Sequence, residues 1–266
     1  MIEVLGRSVD CVESGEGPPL VFLPGSYSTP AAWRPVQRLL APRWRMVATS
    51  LAGYGASAET RSRQDFGIQH EVGLVRGLLR HVGEPVHLVG HSFGATVALA
   101  TALAGRDAVA SLTLFEANPL ALLGQGHARL YDDTLRMSLD FEAAVDAGEI
   151  DAPRRIIDFW GGEGVFAAMP EAVKAYCRAT AATNVLDWRT DFAFTASANE
   201  YSQLDLPILL VRGALANPAM VAITDELAVC LPQVRTALVE DAGHFLITSH
   251  AADCARLLSS FLAEVA

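Results

Sequence analysis

The chain has 266 residues, 51% of them hydrophobic and 19% charged, a balance that suits a globular protein with a large buried core and excludes extended disorder. Its net charge of -10 speaks against nucleic acid as a partner, because phosphate binding needs clustered Lys and Arg. Nineteen of the twenty basic residues are Arg, with Lys174 the exception, and pairs such as Arg43/Arg45, Arg61/Arg63 and Arg154/Arg155 read as scattered, solvated surface charge.

The predicted elements begin with Leu20-Val21-Phe22-Leu23, a short apolar run stopped by Pro24-Gly25, which suits a buried strand and turn. Residues 30–40 are patterned as a helix, and Arg45-Met46-Val47-Ala48 as a second buried strand closed by Gly53-Tyr54-Gly55. A helix over 69–81 follows, with Val72, Val75, Leu78 and Leu79 at helical spacing. Val86-His87-Leu88-Val89 is a third strand, 92–104 an Ala-rich helix, and 111–115 a fourth strand. Strands separated by helices imply right-handed crossovers and a mostly parallel sheet covered on both faces.

From 119 to 203 the alternation stops and helices are expected over 140–147, 153–159 and 170–181. It resumes with a strand at 206–211, a helix at 219–230, a strand at 235–239 and a closing helix at 251–263. The expected organisation is a sheet domain, 1–118 and 204–266, interrupted by a helical insertion, 119–203.

Cys11, Cys177, Cys230 and Cys254 are widely spaced and read as separate thiols, not as a disulfide or zinc framework. His70-Glu71 opens an H-E-x-x-H pattern, but position 74 is Leu, so no zinc site is expected there. Gly53–Ala58 imitates a dinucleotide fingerprint, yet the polar run that follows lacks an apolar helical face, so it reads as a loop. With no basic stretch leading into an apolar one at the N-terminus and no long apolar run, a soluble cytoplasmic protein without a membrane span is expected.

Gly90-His91-Ser92-Phe93-Gly94 matches G-x-S-x-G and lies between an apolar strand and an Ala-rich helix. A nucleophilic serine needs that context, because it sits on a sharp strained turn that glycines on both sides make possible. Helix N-terminal N–H groups there can stabilise developing negative charge. A serine hydroxyl also needs a base, and His244, in Gly243-His244 near the C-terminus, is the best candidate.

Together with Leu23-Pro24-Gly25-Ser26, Leu51-Ala52-Gly53-Tyr54-Gly55-Ala56-Ser57 and Asp241-Ala242-Gly243-His244-Phe245, this motif makes the chain resemble the α/β-hydrolase superfamily over almost its whole length. The resemblance implies an α/β fold, with a mostly parallel central sheet, helices on both faces and a helical cap formed by the insertion. It places the oxyanion donors at the backbone N–H groups of Ser26 and Phe93, and Pro24 departs from the His-Gly of many relatives. Relatives usually carry their acid at a position that is Ala216 here, followed by Asn217. Some instead place a Glu at the end of the strand after the nucleophile helix, which points to Glu116 as the third catalytic residue. The alternative is that Glu116 bonds loop backbone while Asp225 or Asn217 serves the histidine.

The cap would offer aromatic side chains, including Phe159, Trp160, Phe166, Tyr176, Trp188, Phe192 and Phe194, for an apolar pocket, although each could belong to the cap's own core. Tyr27, Trp160, Trp188 and Phe245 are the expected substrate contacts. The expected reaction is hydrolysis of a small to medium apolar carboxylic ester, thioester or lactone through a Ser92 acyl-enzyme, with no cofactor or metal. C–C bond hydrolysis, cofactor-free perhydrolysis and silent ligand binding remain open on the same residues. Dehalogenases and epoxide hydrolases of this fold are associated with an Asp nucleophile, so Ser92 disfavours those reactions. The pattern leaves the oligomeric state and the physiological substrate open.

Overall fold

A computed structural model describes residues 1–4, 6–40, 42–105 and 108–265. Residues 5, 41, 106, 107 and 266 of the expected sheet domain lie outside the described residues. Strands β1 (Ile2–Val4) and β2 (Arg7–Val9) pair as a small antiparallel ribbon. The main sheet contains β3 (Cys11–Ser14), β4 (Pro19–Leu23), β5 (Arg45–Thr49), β6 (Val86–His91), β7 (Val109–Phe115), β8 (Ile208–Gly213) and β9 (Val234–Val239). Their order is β3-β5-β4-β6-β7-β8-β9, with β3 antiparallel at one edge and the other strands parallel.

β4 and β6 are buried along their whole length, which is why they read as unbroken apolar runs and not as alternations. Helices α1 (Arg34–Gln37), α2 (Gln69–Val82) and α3 (Phe93–Ala104) lie in the first half of the chain. A 3-10 turn, Leu120–Gln125, then leads into α4 (Ala128–Asp146), α5 (Arg154–Gly161), α6 (Val165–Ala168), α7 (Glu171–Ala179), α8 (Ala181–Ala193) and α9 (Ala198–Tyr201). The last helices are α10 (Pro218–Cys230), α11 (Leu246–Ser249) and α12 (Ala251–Val265).

One core cluster joins the sheet to α2, α3 and α10 through residues such as Leu78, Val97 and Ile223. A second joins the opposite face to α1, α11 and α12 through Val36, Leu246 and Leu258. The architecture is therefore the expected α/β one, with helices on both faces of a mostly parallel sheet. Among the described residues, no helix is long and apolar enough to cross a membrane.

Several elements differ from their sequence patterns, each for a physical reason. The ribbon and β3 were not anticipated, because strands of three or four largely exposed residues carry no usable period. The helix expected over 30–40 is a 3-10 turn, Pro30–Trp33, followed by the single turn of α1, with Pro30 and Pro35 starting each piece. α4 begins twelve residues before the expected 140, at Ala128, because the first residues of its buried stripe are Thr134 and Ser138. The helix expected over 170–181 breaks at Thr180 into α7 and the unforeseen α8.

The direction of strand addition reverses between β4 and β6, so the loops leaving their carboxyl ends diverge and open a crevice.

Candidate active site

Four loops converge at that crevice, those leaving β4, β6, β7 and β9. Among the described residues, the non-glycine positions with positive φ are Tyr27 (59°), Ser92 (53°), Glu116 (51°) and Asp241 (57°), one in each loop. Such geometry costs about 1–3 kcal/mol per residue and persists only where the surroundings impose it.

Ser92 occupies the bend between β6 and α3, with φ 53° and ψ -128°, and its side chain makes no capping hydrogen bond to the helix. The flanking glycines are steric requirements. A Cβ on Gly90 would come within 2.5 Å of Ala95 Cα, and one on Gly94 within 2.2 Å of the Pro24 carbonyl oxygen. The bend thus brings the Ser92 loop against the loop that carries Ser26.

The Ser92 hydroxyl lies 3.0 Å from His244 Nε2, and His244 Nδ1 lies 2.9 Å from Glu116 Oε2. A carboxylate only accepts, so Nδ1 carries the proton, and Nε2 is the lone pair facing Ser92. The other Glu116 oxygen accepts the Gly213 backbone N–H at 2.7 Å. The Trp160 ring stacks over the His244 imidazole, 5.4 Å between centroids and 25° from parallel. His91 donates from Nε2 to the His244 carbonyl at 2.8 Å, a bond between residues 153 positions apart. Burial first, and the neighbouring His244 second, push the His91 pKa from 6.5 down to about 3, so this ring stays neutral.

The other candidates for the acid lie elsewhere. Asn217 caps α10 by accepting from the Ala219 N–H, and its amide donates to the Phe159 carbonyl. Asp225 is exposed on α10.

A cavity of about 70 Å³ lies over Ser92. Ser26, Phe93, Tyr27, Trp160, Trp188 and Phe245 all line it, so the expected oxyanion loop and substrate contacts meet at one place. Phe166 is buried instead with Ile157 and Cys177 in a small cluster of its own, and Phe192 packs edge-on against Tyr131. Among the described residues, no group of three or more His, Cys, Asp or Glu side chains is placed to hold a metal ion.

One expectation is overturned here. Arg61 is not solvated surface charge: its side chain is fully buried, and Nη1 lies 2.8 Å from Asp187 Oδ1 and 3.2 Å from Glu71 Oε1. Glu59 accepts from Arg61 Nε and Nη2, both at 2.9 Å. Desolvating a guanidinium is costly, and this one is tolerated because three carboxylates surround it. Burial pushes the Glu71 carboxyl up to about 7, with Arg61 opposing the rise. Asp187 Oδ2 accepts the Ser26 hydroxyl at 2.5 Å and the Tyr54 hydroxyl at 2.6 Å. The network therefore runs from the loop after β5 and from α2, through α8, to Ser26 in the loop after β4. Its sequence signal was weak but present: Glu71 falls on the apolar stripe of α2, and Asn184, Asp187 and Asp191 recur at helical spacing along α8.

Comparison with known proteins agrees with this architecture. The profile of the alpha/beta hydrolase family matches residues 20–257. A fluoroacetate dehalogenase from a Burkholderia species is 24% identical, over 99% of this chain and 93% of its own. The pimeloyl-[acyl-carrier protein] methyl ester esterase of Aliivibrio salmonicida is 25% identical over 93% of each chain. A thermophilic esterase from Thermogutta terrifontis superposes with a TM-score of 0.77 at 20% identity, covering 97% of this chain and 94% of that one.

Proposed function

The chain belongs to the alpha/beta hydrolase family, and on that premise we propose that it is a serine hydrolase opening a small carboxylic ester, thioester or lactone. The observation that carries this reading is the unbroken line of hydrogen bonds from Ser92 Oγ through His244 to Glu116. In the proposed reaction His244 Nε2 takes the Ser92 proton as Oγ bonds to the substrate carbonyl carbon, and the carbonyl π electrons move onto oxygen. The backbone N–H groups of Phe93, at the start of α3, and of Ser26 hold that oxyanion. As the tetrahedral centre collapses, the bond to the leaving group breaks and His244 delivers its proton there. Water then repeats the sequence on the acyl-enzyme, with His244 again as base.

Glu116 keeps the Nε2 lone pair aimed at Ser92 and stabilises the imidazolium that forms. Asp187 holds the Ser26 hydroxyl and so positions the loop that provides one oxyanion donor. Residues 119–203 act as the cap, and Trp160, Trp188, Tyr27 and Phe245 provide a largely apolar acyl site. The cavity has room for on the order of five waters, which favours short acyl groups. One relative's name refers to methyl ester cleavage, which agrees with this reading. Another's refers to dehalogenation, but position 92 here is an alcohol and not the aspartate associated with that reaction.

A fluorophosphonate probe tests the proposal. Rapid covalent labelling located at Ser92, together with release of acid from short-chain esters, is the expected result. Absence of both would leave a ligand-binding member of the fold.

A further inference from the structure

The cavity over Ser92 is not apolar throughout. Asn118, Asn184 and Asp191 also line it, and each is at least 95% buried. Asp187, on the same face of α8 as Asn184 and Asp191, has both oxygens engaged by Arg61, Ser26 and Tyr54. Asp191 is in a different position. One of its carboxyl oxygens accepts the Leu120 N–H at 3.4 Å, and among the described residues no other hydrogen bond or ion pair reaches the carboxyl group. Burial, reinforced by Asp187, holds its carboxyl well above the ordinary range, and in its protonated form the group can donate as well as accept.

Asn184 repeats the pattern. Its amide nitrogen is committed to Tyr54 at 3.4 Å and to Asp187 at 3.3 Å, and its Oδ1 is buried without a partner. The Asn118 carbonyl oxygen accepts the Thr96 hydroxyl at 3.1 Å, while its amide nitrogen donates to no described residue. Buried polar atoms without partners are rare, and each costs about 1–3 kcal/mol. Asn184 Oδ1 is such an atom, and beside it on the cavity wall Asp191 and Asn118 each keep a polar atom that no described residue engages; together they point to a ligand that completes their bonds. Behind them one guanidinium faces three carboxyl groups, Glu59, Glu71 and Asp187, so acidic groups outnumber the basic one and the wall disfavours an anion.

We propose that Asn184 and Asp191 form a polar subsite that binds a hydrogen-bond donor carried by the substrate, a hydroxyl or an ammonium, with the Asn118 amide N–H open to the oxygen of a hydroxyl. The proposal rests on the ester-cleaving reading only in taking the ligand to be that substrate.

The test uses ester sets that differ only in carrying methyl, hydroxyl, ammonium or carboxylate on the acyl or the alcohol part. Calorimetric binding to the Ser92→Ala protein reads the subsite without chemistry, and kcat/KM of the wild type reads it during turnover. The hydroxyl or ammonium member is expected to bind about tenfold more tightly than the methyl isostere, with the carboxylate weakest. Asp191→Asn separates the two donors. An amide still exchanges hydrogen bonds with a hydroxyl, so that preference survives, but it cannot become an anion, so an ammonium preference is lost. Asp191→Leu abolishes both, and Asp191→Asn alone decides if the Leu variant does not fold.

Methyl members that bind Ser92→Ala as tightly as the polar ones, or polar members that do not bind at all, overturn the subsite whether or not any ester is cleaved. A retained ranking in Ser92→Ala with no turnover by the wild type supports the subsite and overturns the ester-cleaving reading.

Discussion

Glu116 orients two N–H groups at once, the imidazole Nδ1–H of His244 and the backbone N–H of Gly213. Replacing it with Gln leaves the volume but removes the charge that favours imidazolium and blurs which tautomer is held. Glu116→Gln is expected to lower kcat about 10³–10⁴-fold in steady-state ester hydrolysis, while Asp225→Asn stays within a factor of two. The reverse result would move the acid onto α10. His91 gives a pH prediction. In the unfolded chain it takes up a proton near 6.5, whereas in the fold it resists protonation down to about 3. Between these values the unfolded state binds more protons, so this residue's contribution to stability is complete above 6.5 and is lost as pH falls towards 3. Melting temperatures measured from pH 7 to 4 should therefore drop less for His91→Gln than for the wild type, and parallel curves would refute the linkage. In the sequence a strand–turn–helix motif and a place near the C-terminus marked Ser92 and His244, while Glu116 came from the resemblance to the α/β-hydrolase superfamily, with Asp225 and Asn217 still open. Sequence reading missed Arg61 and Asp187, because nothing in a polar stretch such as 59–65 says that one of its charges will be enclosed with a carboxylate 126 positions away.

At the level of elements, the loops after β4 and β6 and helix α8 act together. Leu23 is in register with Gly90, so Ser26 and Ser92 leave neighbouring strands, and Asp187 reaches across from α8 to hold the Ser26 hydroxyl. Ser26→Ala retains the backbone N–H while releasing this hold. We expect kcat to fall about tenfold with KM changed much less, because the oxyanion exists only after attack. Asp187→Asn should give a similar fall in kcat and also a loss of about 3–5 kcal/mol in unfolding free energy, since it leaves the Arg61 charge under-compensated. The double variant should lose less catalysis than the sum of the two, which urea unfolding and steady-state kinetics can establish. A Ser26→Ala enzyme with unchanged kcat would remove the hydroxyl from the mechanism. Strands β4, β6, β7 and β8 were legible because burial on both faces leaves continuous apolar runs. α8 and the first half of α4 were not, because Asn184, Asp187, Thr134 and Ser138 place polar side chains where an apolar stripe would have marked the helix.

Across the whole molecule, the segment between β7 and β8 is tied to the sheet domain at many points. Besides the Arg61 network, the Thr190 hydroxyl donates to the Phe66 carbonyl at 2.6 Å, the Gly55 N–H donates to Tyr176 Oη at 3.1 Å, and Asn217 donates to the Phe159 carbonyl at 2.7 Å. Hydrogen exchange followed by mass spectrometry should find α8 amides about as slow as those of α3, with the more exposed α6 and α7 faster. Rapid exchange in α8 of the wild-type protein would contradict this, and Asp187→Asn should accelerate α8 selectively. The alternation of strands and helices foreshadowed the sheet, but these ties pair residues too far apart in sequence for any local pattern to reveal them. Enclosed ion pairs also have a consequence for traffic. A roof bolted down through a charge that cannot reach water is a poor door, because each swing would strand that charge in a dry gap. On the proposed reading of residues 119–203 as a cap, the wild-type segment is therefore expected to hold one shape whether or not a small molecule is bound.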